Sequence, residues 1–390
     1  MNEVELQVSR GDKPDAGAVA EQLLQNAKGT PKLAVLFANR GRDLPALLRA
    51  VRERLPKTTR LVGGTTGCVL DNAGFHQGQV VLGLLGGDFE VGVGLGKGLD
   101  SDAADAGRQA VASAAAQLGI READLDPRRN VAMVVDDGPQ MKKEEILLGV
   151  LEKNPALTLV GGGASDRMPQ PRPAAEVFVD DQVVPNAVTV TLFHTTAPWA
   201  ALRPHAYFPT GDRITFTKVD DANKRVLEID GKPAAAEYAR LLGVEIDDLE
   251  FGKPKGFAFR PTALRVGREY FMRSPWMVLP DGSIVFVSHV VEGTEVELMK
   301  MGDMVELTRK FFTEELPRRV TSPRAAILFN CAGRSWAAHS LGVHDALGGA
   351  LKDAPPLLGL DVAGEIYNAF AIDTTLTVLA FGAGDDAAAE

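Results

Sequence analysis

Apolar residues form a pattern that occurs three times along the chain. In each copy a short apolar strand ends in a polar residue, and after an intervening segment a second strand ends in glycines. The strand pairs are KLAVLFANRG with LVGGTTG, NVAMVVDDG with LVGGGASD, and RAAILFNCAG with LLGLDVAGE. The polar residue and the glycine are separated by 24, 25 and 29 positions, from Asn39 to Gly63, from Asp136 to Gly161 and from Asn330 to Gly359. This regular spacing indicates duplicated units.

The segment between the two strands has helical periodicity. In the first copy Leu44, Leu47, Leu48 and Val51 fall on one helix face, and Asp43 is placed to cap the helix. A strand, a helix and a returning strand of this length predict two parallel neighbours in one sheet. Alternating apolar segments such as GQVVLGLLGG, NAVTVTLF and DTTLTVLAFG follow the units and predict antiparallel strands. The expected fold class is α/β to α+β, with mixed sheets built from repeated strand-helix-strand units.

The pattern changes to hairpins between Pro204 and Pro323, where DRITFTKVDD precedes KRVLEIDG and Asp281-Gly282 supplies a turn between two further strands. A chain of 390 residues is also longer than a single core normally supports. We therefore expect two domains. The predicted divisions are a lead-in over 1–30, a first domain over 31–203, a second domain over 204–382 and a disordered tail over 383–390.

Composition excludes several classes of function. The net charge is -10 and no long run of Lys or Arg occurs, so nucleic acid is not an expected partner. The longest apolar runs are too short to cross a bilayer, and no signal segment opens the chain. Cys68 and Cys331 are the only cysteines, and they fall in different predicted domains, which does not support a disulfide framework. A cytoplasmic location is the expectation.

The order of these motifs resembles the FIST family, which has N-terminal and C-terminal halves and occurs in bacterial sensory proteins and some F-box proteins. The resemblance is carried by LVGGTTG and LVGGGASD in the first half, and by LEIDGKPAAAEYARLLG, FNCAGRSW, GLDVAGEIYNAF and DTTLTVLAF in the second. It implies a sensor that binds a small molecule such as an amino acid, without an established enzymatic activity. The chain departs from the family at Gly67-Cys68-Val69, where Gly-Glu-Ile is common, whereas Gly364-Glu365-Ile366 keeps that motif.

Strand ends supply the candidate ligand contacts, because ligand sites in open α/β sheets favour the edge where parallel strands end. Arg334 and Glu365 would bind the carboxylate and the ammonium of an amino-acid-like ligand, although a structural ion pair explains the same residues. Hydroxyls and glycine loops would supply further hydrogen bonds, and two residues would form the floor. These remaining candidates are Thr65, Thr66 and Ser165, then Gly64, Gly162 and Gly364, then Asn330 and Cys331.

Cys331 leaves an alternative open. A thiol at the start of a helix, expected near Ser335 to Trp336, and beside Arg334 has features of a nucleophile, but a buried cysteine at a strand end is also a common structural element. The leading hypothesis is a non-catalytic sensor that acts with a separate signalling protein. The rivals are an enzyme that uses Cys331 and a protein-interaction module of the kind found in F-box proteins.

Metals and cofactors are not expected. His339 and His344 are five positions apart, about 140° around a helix, so they would not share a helix face. No stretch fits a nucleotide-binding fingerprint, since VGVGLGKGLD has Val91 where the first glycine of a phosphate-binding loop is needed.

Overall fold

The computed structural model describes residues 2–166 and 174–384, which form three sheets flanked by helices. The strands of the first half are β1 (Asn2–Gly11), β2 (Leu33–Ala38), β3 (Arg60–Thr65), β4 (Val69–Asp71), β5 (Gly74–His76), β6 (Val80–Gly87), β7 (Phe89–Lys97), β8 (Asn130–Asp137), β9 (Thr158–Ala164), β10 (Glu176–Val179), β11 (Gln182–Pro185), β12 (Ala187–Thr195) and β13 (Trp199–Leu202). Those of the second half are β14 (Tyr207–Asp220), β15 (Arg225–Ile229), β16 (Lys232–Pro233), β17 (Thr262–Val266), β18 (Glu269–Arg273), β19 (Pro275–Val278), β20 (Ile284–Phe286), β21 (Glu295–Met301), β22 (Pro323–Cys331), β23 (Leu357–Val362), β24 (Glu365–Tyr367), β25 (Phe370–Ile372) and β26 (Leu376–Gly384). The α-helices are α1 (Ala16–Leu24), α2 (Leu44–Arg52), α3 (Leu99–Gln117), α4 (Lys143–Leu151), α5 (Ala234–Leu242), α6 (Met304–Lys310), α7 (Leu316–Arg319), α8 (Ala332–Ser340) and α9 (His344–Gly349), with a π-helical segment at Phe311–Glu315 between α6 and α7.

The three predicted strand-helix-strand units are confirmed. Strand β2 pairs in parallel with β3, β8 with β9, and β22 with β23, and a helix lies between the strands of each pair along the chain. The helix of the first unit begins as predicted, because the side chain of Asp43 accepts a hydrogen bond from the backbone of Ala46 at 3.0 Å. The predicted antiparallel strands are also present, since β6, β12 and β26 each pair with the first strand of a unit. The predicted mixed-sheet architecture is therefore correct.

A short hairpin follows the second strand of each unit, and each hairpin joins a different unit. The hairpin β4–β5 of the first unit pairs with β23 of the third, and the hairpin β24–β25 of the third unit pairs with β9 of the second. The hairpin β10–β11 of the second unit pairs with β3 of the first, which closes the exchange. The three units are thus linked in a ring with approximate threefold pairing. The sequence pattern predicts the units but not this exchange.

The remaining strands join the two ends of the chain. Strand β26 pairs with β22, with β13 and with β1, while β1 also pairs with β6 along most of its length. The predicted lead-in over 1–30 is therefore wrong as a separate segment, because its first strand lies inside the twelve-stranded sheet. The predicted tail over 383–390 is wrong at its first two residues, which belong to β26, and residues 385–390 lie outside the described residues.

The region 207–301 forms a separate eight-stranded sheet, as its hairpin pattern predicts. Strands β14 and β15 pair in antiparallel fashion, as do β19 and β20, where Gly282 adopts a φ of 79° in the turn. Helix α5 packs against this sheet and ends at Gly243, which has the left-handed conformation expected of a C-cap. We call this region the hairpin domain.

The two-domain architecture takes a form that differs from the predicted division at residue 203. The hairpin domain starts close to this boundary, but residues 323–384 return to the sheets of the first half. The reason is hydrogen bonding, since β22 and β23 have partners from both ends of the chain and none in the eight-stranded sheet. One apolar core joins the units across the sheets, and a second core fills the hairpin domain and contacts α8. The predicted second domain is accordingly divided in space.

We expect Gly161→Ala to destabilise the protein by about 1–3 kcal/mol, because a Cβ at this position would lie 1.9 Å from the backbone oxygen of Val134 in the neighbouring strand. The matched control is Gly86→Ala in β6, where nothing lies within 4 Å of an added Cβ. Urea unfolding of both variants measures the difference in the free energy of unfolding. Equal loss in the two variants would contradict the close packing of β8 and β9.

Candidate functional site

A cavity of about 600 Å³ lies between the three units and the hairpin domain. Each unit contributes the segment that follows or ends its second strand, represented by Cys68, Ser165 and Asp361. The start of α8 and the loop before β26 also line it, and the hairpin domain covers the other side. The volume is in the range typical of small-molecule sites. The cavity is therefore the candidate binding site.

Hydrogen bonds between the three units support the floor of this cavity. The Thr66 hydroxyl donates to the backbone oxygen of Asp361 at 2.8 Å, and the Ser165 hydroxyl donates to the same oxygen at 2.6 Å. The backbone N–H of Asp361 donates to the carbonyl of Cys68 at 2.9 Å, and that of Ser165 donates to the carbonyl of Thr65 at 2.9 Å. The hydroxyls predicted to bind a ligand thus hold the units together.

The side chain of Asp361 occupies the centre of the floor. Its Oδ1 accepts hydrogen bonds from Asn330 Nδ2 at 2.7 Å and from Ser335 Oγ at 2.9 Å. Burial raises the pKa of this carboxyl to about 7, against the opposing effect of these hydrogen bonds and of nearby Arg334. A carboxyl with this pKa changes its charge near neutral pH.

Arg334 lies behind the cavity wall rather than in it. Strand β22 ends at Cys331 and α8 begins at Ala332, so the predicted helix start near Ser335 is too late and Arg334 lies in the first turn of the helix. Its guanidinium donates to Asn330 Oδ1 and to Thr308 Oγ1, and the side chain is buried. Burial lowers its pKa to about 10, so it remains charged at neutral pH. Its positive charge therefore influences the potential at the cavity floor without contacting the cavity.

Glu365 is also buried, and it is not ion-paired with Arg334 in the described part of the chain. Its Oε1 accepts a hydrogen bond from the backbone N–H of Thr375 at 2.8 Å and another from the Thr375 hydroxyl, whereas Oε2 has no hydrogen-bond partner among the described residues. Burial raises the pKa of this carboxyl to about 8. Glu365 is therefore mainly protonated at neutral pH and does not fit the predicted role of a charged partner for an ammonium group.

The two cysteines line the same cavity, although the sequence assigned them to different domains. Both are buried free thiols. Burial raises the pKa of both, and the nearby carboxylates of Glu365 and Asp373 raise that of Cys331 further. Cys331 consequently lacks the lowered pKa of an activated nucleophile.

Aromatic residues that the sequence analysis did not single out form one wall of the cavity. The rings of Phe251 and Trp276 have centroids 4.8 Å apart, those of Phe251 and Trp336 are 5.5 Å apart, and those of Trp276 and Trp336 are 5.6 Å apart. The chain has only 3 Trp, so the rarity of the residue was a signal that could have drawn attention to two of them. Asp373, which also lines the cavity, was missed as well.

The predicted site residues divide into two groups. Ser165, Cys331 and Gly364 line the cavity. The others lie outside its lining, and the two predicted glycines among them pack closely, since a Cβ at Gly162 would lie 2.7 Å from Val362 and one at Gly64 would lie 3.1 Å from Ala164. This second group consists of Gly64, Thr65, Thr66, Gly162, Asn330, Arg334 and Glu365.

Histidines occur in two clusters that the sequence analysis did not predict. His339 and His344 stack with ring centroids 3.7 Å apart, because α8 ends between them and Gly342 reverses the chain. Glu144, Glu145 and His289 lie close enough to share an ion, but Lys224 and Lys142 already form ion pairs with these two carboxylates at 3.5 and 3.0 Å. Each of the two carboxylates in this second cluster is thus already paired with a lysine of the protein.

Comparison with protein families gives a match over nearly the whole chain. The FIST N domain matches residues 32–232 and the FIST C domain matches residues 234–368. The chain belongs to the FIST family. FIST domains are linked to signal transduction and to the sensing of small ligands. The family boundary lies at residue 233, inside the hairpin domain.

Comparisons with individual proteins are less informative. The structure of a cyanuric acid hydrolase from A. caulinodans is similar at 11% identity and a TM-score of 0.37, over 98% of this FIST chain and 100% of that chain. PurLQS from Thermotoga maritima is similar at 11% identity and a TM-score of 0.19, over 99% of this chain and 74% of that one. These values are too low to support an argument about fold or function. No curated protein sequence matches. Among the described residues, no helix is long and apolar enough to span a membrane.

We expect Glu365→Gln to remove a pH-dependent loss of stability. The folded protein keeps the Glu365 proton up to a pKa of about 8, while the unfolded chain releases it at the ordinary value of 4.5, so deprotonation favours unfolding between these values. The stability of the variant relative to the unmodified protein should rise with pH from 5 to 8, by up to about 1.4 kcal/mol per pH unit. Urea unfolding at several pH values measures this difference.

The control for this experiment is Glu292→Gln, which changes an exposed carboxylate outside the cavity. Its stability relative to the unmodified protein should not change with pH. If Glu365→Gln gives the same flat profile, Glu365 is ionised in the folded protein.

Proposed function

We propose that this FIST protein is a non-catalytic sensor that binds a small molecule in the cavity between the three units and the hairpin domain. The observation that carries the proposal is the composition of this cavity, where strand ends from all three units face an aromatic wall of Phe251, Trp276 and Trp336. An apolar wall opposite a few polar groups is the usual form of a small-molecule site. Membership of the FIST family supports the same function.

The position of the cavity suggests how binding is transmitted. Its walls belong both to the three-unit body and to the hairpin domain, so a ligand that contacts both sides favours the arrangement in which they are closed together. A separate signalling protein would then recognise this arrangement. The partner and the cytoplasmic location are predictions from the sequence.

The family resemblance implies an amino acid as the ligand. Only the ammonium group of an amino acid matches the charges of the lining. Its ammonium group would find Asp361 and Asp373, but its carboxylate would find no Lys or Arg in the described lining. Arg334 is separated from the cavity by its bonds to Asn330 and Thr308. The lining thus favours the amino end of such a ligand over the carboxylate end.

Ligand binding can be tested with a variant that fills the cavity. Ala332 lines it at the start of α8, and we expect Ala332→Trp to remove the thermal shifts that amines, amino acids, carboxylates or neutral aromatic compounds produce in the unmodified protein. A ligand at 100 times its Kd adds about 2.7 kcal/mol of stability. The control is Ala222→Trp, on an exposed turn outside the cavity.

Two results would count against the proposal. One is a shift that persists in Ala332→Trp, which would place the ligand elsewhere. The other is the absence of any shift across the panel together with co-purification of a stoichiometric protein, which would favour the protein-interaction module.

The enzyme alternative predicts fast alkylation of Cys331. We expect the opposite, because burial and neighbouring carboxylates raise the pKa of its thiol and leave little thiolate at neutral pH. In the native protein iodoacetamide at pH 7.5 should modify neither Cys331 nor Cys68 within minutes, whereas both should react in urea. Mass spectrometry of peptides measures both sites. Rapid native labelling of Cys331 alone would support the enzyme.

A further inference from the structure

The charges around the cavity are not balanced within its lining. Three carboxylates line it, those of Asp166, Asp361 and Asp373, whereas the described lining contains no Lys or Arg and His339 is its one basic side chain. Asp166 lies 3.5 Å from Arg40 and is therefore partly neutralised. The two buried carboxylates, Asp361 and Asp373, remain to determine which ligand charge the cavity accepts.

Asp361 has one oxygen committed to the protein and one that is not. The carboxyl group is over nine-tenths buried, with 7% exposure, and Oδ1 accepts both of the hydrogen bonds from Asn330 and Ser335. Oδ2 makes no hydrogen bond to the described residues. A carboxylate oxygen that accepts no hydrogen bond from the protein can accept one from a solvent molecule or a ligand. Since Asp361 lines the cavity, a ligand group that donates hydrogen bonds would complete it.

The two arginines near these carboxylates do not reach the cavity lining. Arg334 is bonded to Asn330 and Thr308, and Arg273 donates to the backbone oxygen of Ala371. Asp373 accepts from the Ser288 hydroxyl at 2.9 Å and from the backbone of Ser274. The positive charges of the two arginines reduce the negative potential of the carboxylates. A ligand inside the cavity contacts the carboxylates but not the arginines.

The aromatic wall adds a second, independent preference for positive charge. Trp276, Trp336 and Phe251 lie within 5.6 Å of one another, measured between ring centroids. The faces of such rings attract organic cations, and tryptophan does so most strongly. The same rings also bury an apolar body. A wall of this kind opposite a carboxylate suits a molecule that is both apolar and cationic.

We propose that the cavity selects a small amine with an apolar body, whose protonated nitrogen contacts Asp361 and whose body lies against Trp276 and Trp336. This inference rests on the proposed function, because it names the ligand class of the same cavity. It excludes carboxylates without an amine, which would approach Asp361 and Asp373 with a like charge.

Binding of such an amine should depend on pH. The groups that face Asp361 are Asn330 on β22, Arg334 and Ser335 on α8, and the Cys68 thiol after β3, and Asp166, Asp373 and His339 line the same cavity. Burial raises the pKa of Asp361 to about 7, so the carboxyl is mostly neutral at pH 5.5 and mostly ionised at pH 8. An alkylamine stays protonated over this interval. The affinity for the amine should therefore rise with pH.

Isothermal titration with three compounds of similar shape tests the proposal. Phenethylamine carries a positive charge, 2-phenylethanol is neutral and 3-phenylpropanoate is negative at pH 8. We expect the amine to bind at least about ten times more tightly than the alcohol, and the carboxylate to bind most weakly. The amine should lose several-fold in affinity on lowering the pH to 5.5, whereas the alcohol should not.

Variants assign the preference to residues. Asp361→Asn should reduce the affinity for the amine to that of the alcohol, and Trp336→Leu, at a half-exposed position, should weaken the amine several-fold. The controls are Asp353→Asn and Phe208→Leu, which change an exposed carboxylate and an exposed ring outside the cavity. They should leave the affinities unchanged. If Asp361→Asn does not fold, the affinity of Trp336→Leu for the amine and the pH dependence of amine binding to the unmodified protein still test the inference.

The results separate this inference from the proposed function. Equal affinities for the amine and the alcohol, or unchanged selectivity in Asp361→Asn, would overturn the preference for amines while binding in the cavity still stands. Binding of none of the three compounds would also overturn the inference. The wider screen with Ala332→Trp then decides independently whether the cavity binds any small molecule.

Discussion

Hydrogen bonds around the backbone of Asp361 join the three strand-helix-strand units, and the rest of the structure depends on this junction. Hydroxyls from the first and second units donate to one carbonyl oxygen of the third, and the N–H of the same residue donates back to the first unit. Buried backbone groups need such partners, so the junction fixes how the units meet. The cavity floor has its shape because these strand ends cannot separate without leaving polar groups unpaired.

Buried carboxyl groups lie close to this junction, and their position there needs an explanation. Asp361, Glu365 and Asp373 all have pKa values raised by burial, and a group of this kind favours the unfolded chain as soon as it ionises. Burial of an ionisable group costs free energy, so the presence of these groups needs another reason. A binding role for Asp361 supplies one, because a cationic ligand would favour the ionised form that burial disfavours.

Sequence patterns predicted the local architecture well, since each unit has its own apolar strands, its own helix and a spacing set by these elements. They did not predict the exchange of hairpins, because β4, β10 and β24 are only three or four residues long and such short segments do not specify which strand they join. The residues of the candidate site were harder to predict from the sequence than the fold. Thr66 and Ser165 have the chemistry of ligand contacts, but whether a hydroxyl faces a ligand or a carbonyl of another unit depends on pairing with Asp361, which lies 295 and 196 positions away from them. The aromatic wall comes from the hairpin domain and α8, and no local pattern connects these segments with the strand ends.

The ring of exchanged hairpins has a consequence for how the protein acquires its structure. The hairpin β4–β5, made early in synthesis, has its partner β23 near the end of the chain, and β1 pairs with β26, the last strand described. The first unit can form its parallel pair on the ribosome, but its hairpin strand β4 remains without its partner β23 until the last strands emerge. Contacts between such distant residues close slowly and leave strand edges open to association with other chains. Newly made protein would therefore depend on chaperones during this interval, and a prematurely truncated chain would expose the edges that the complete ring covers.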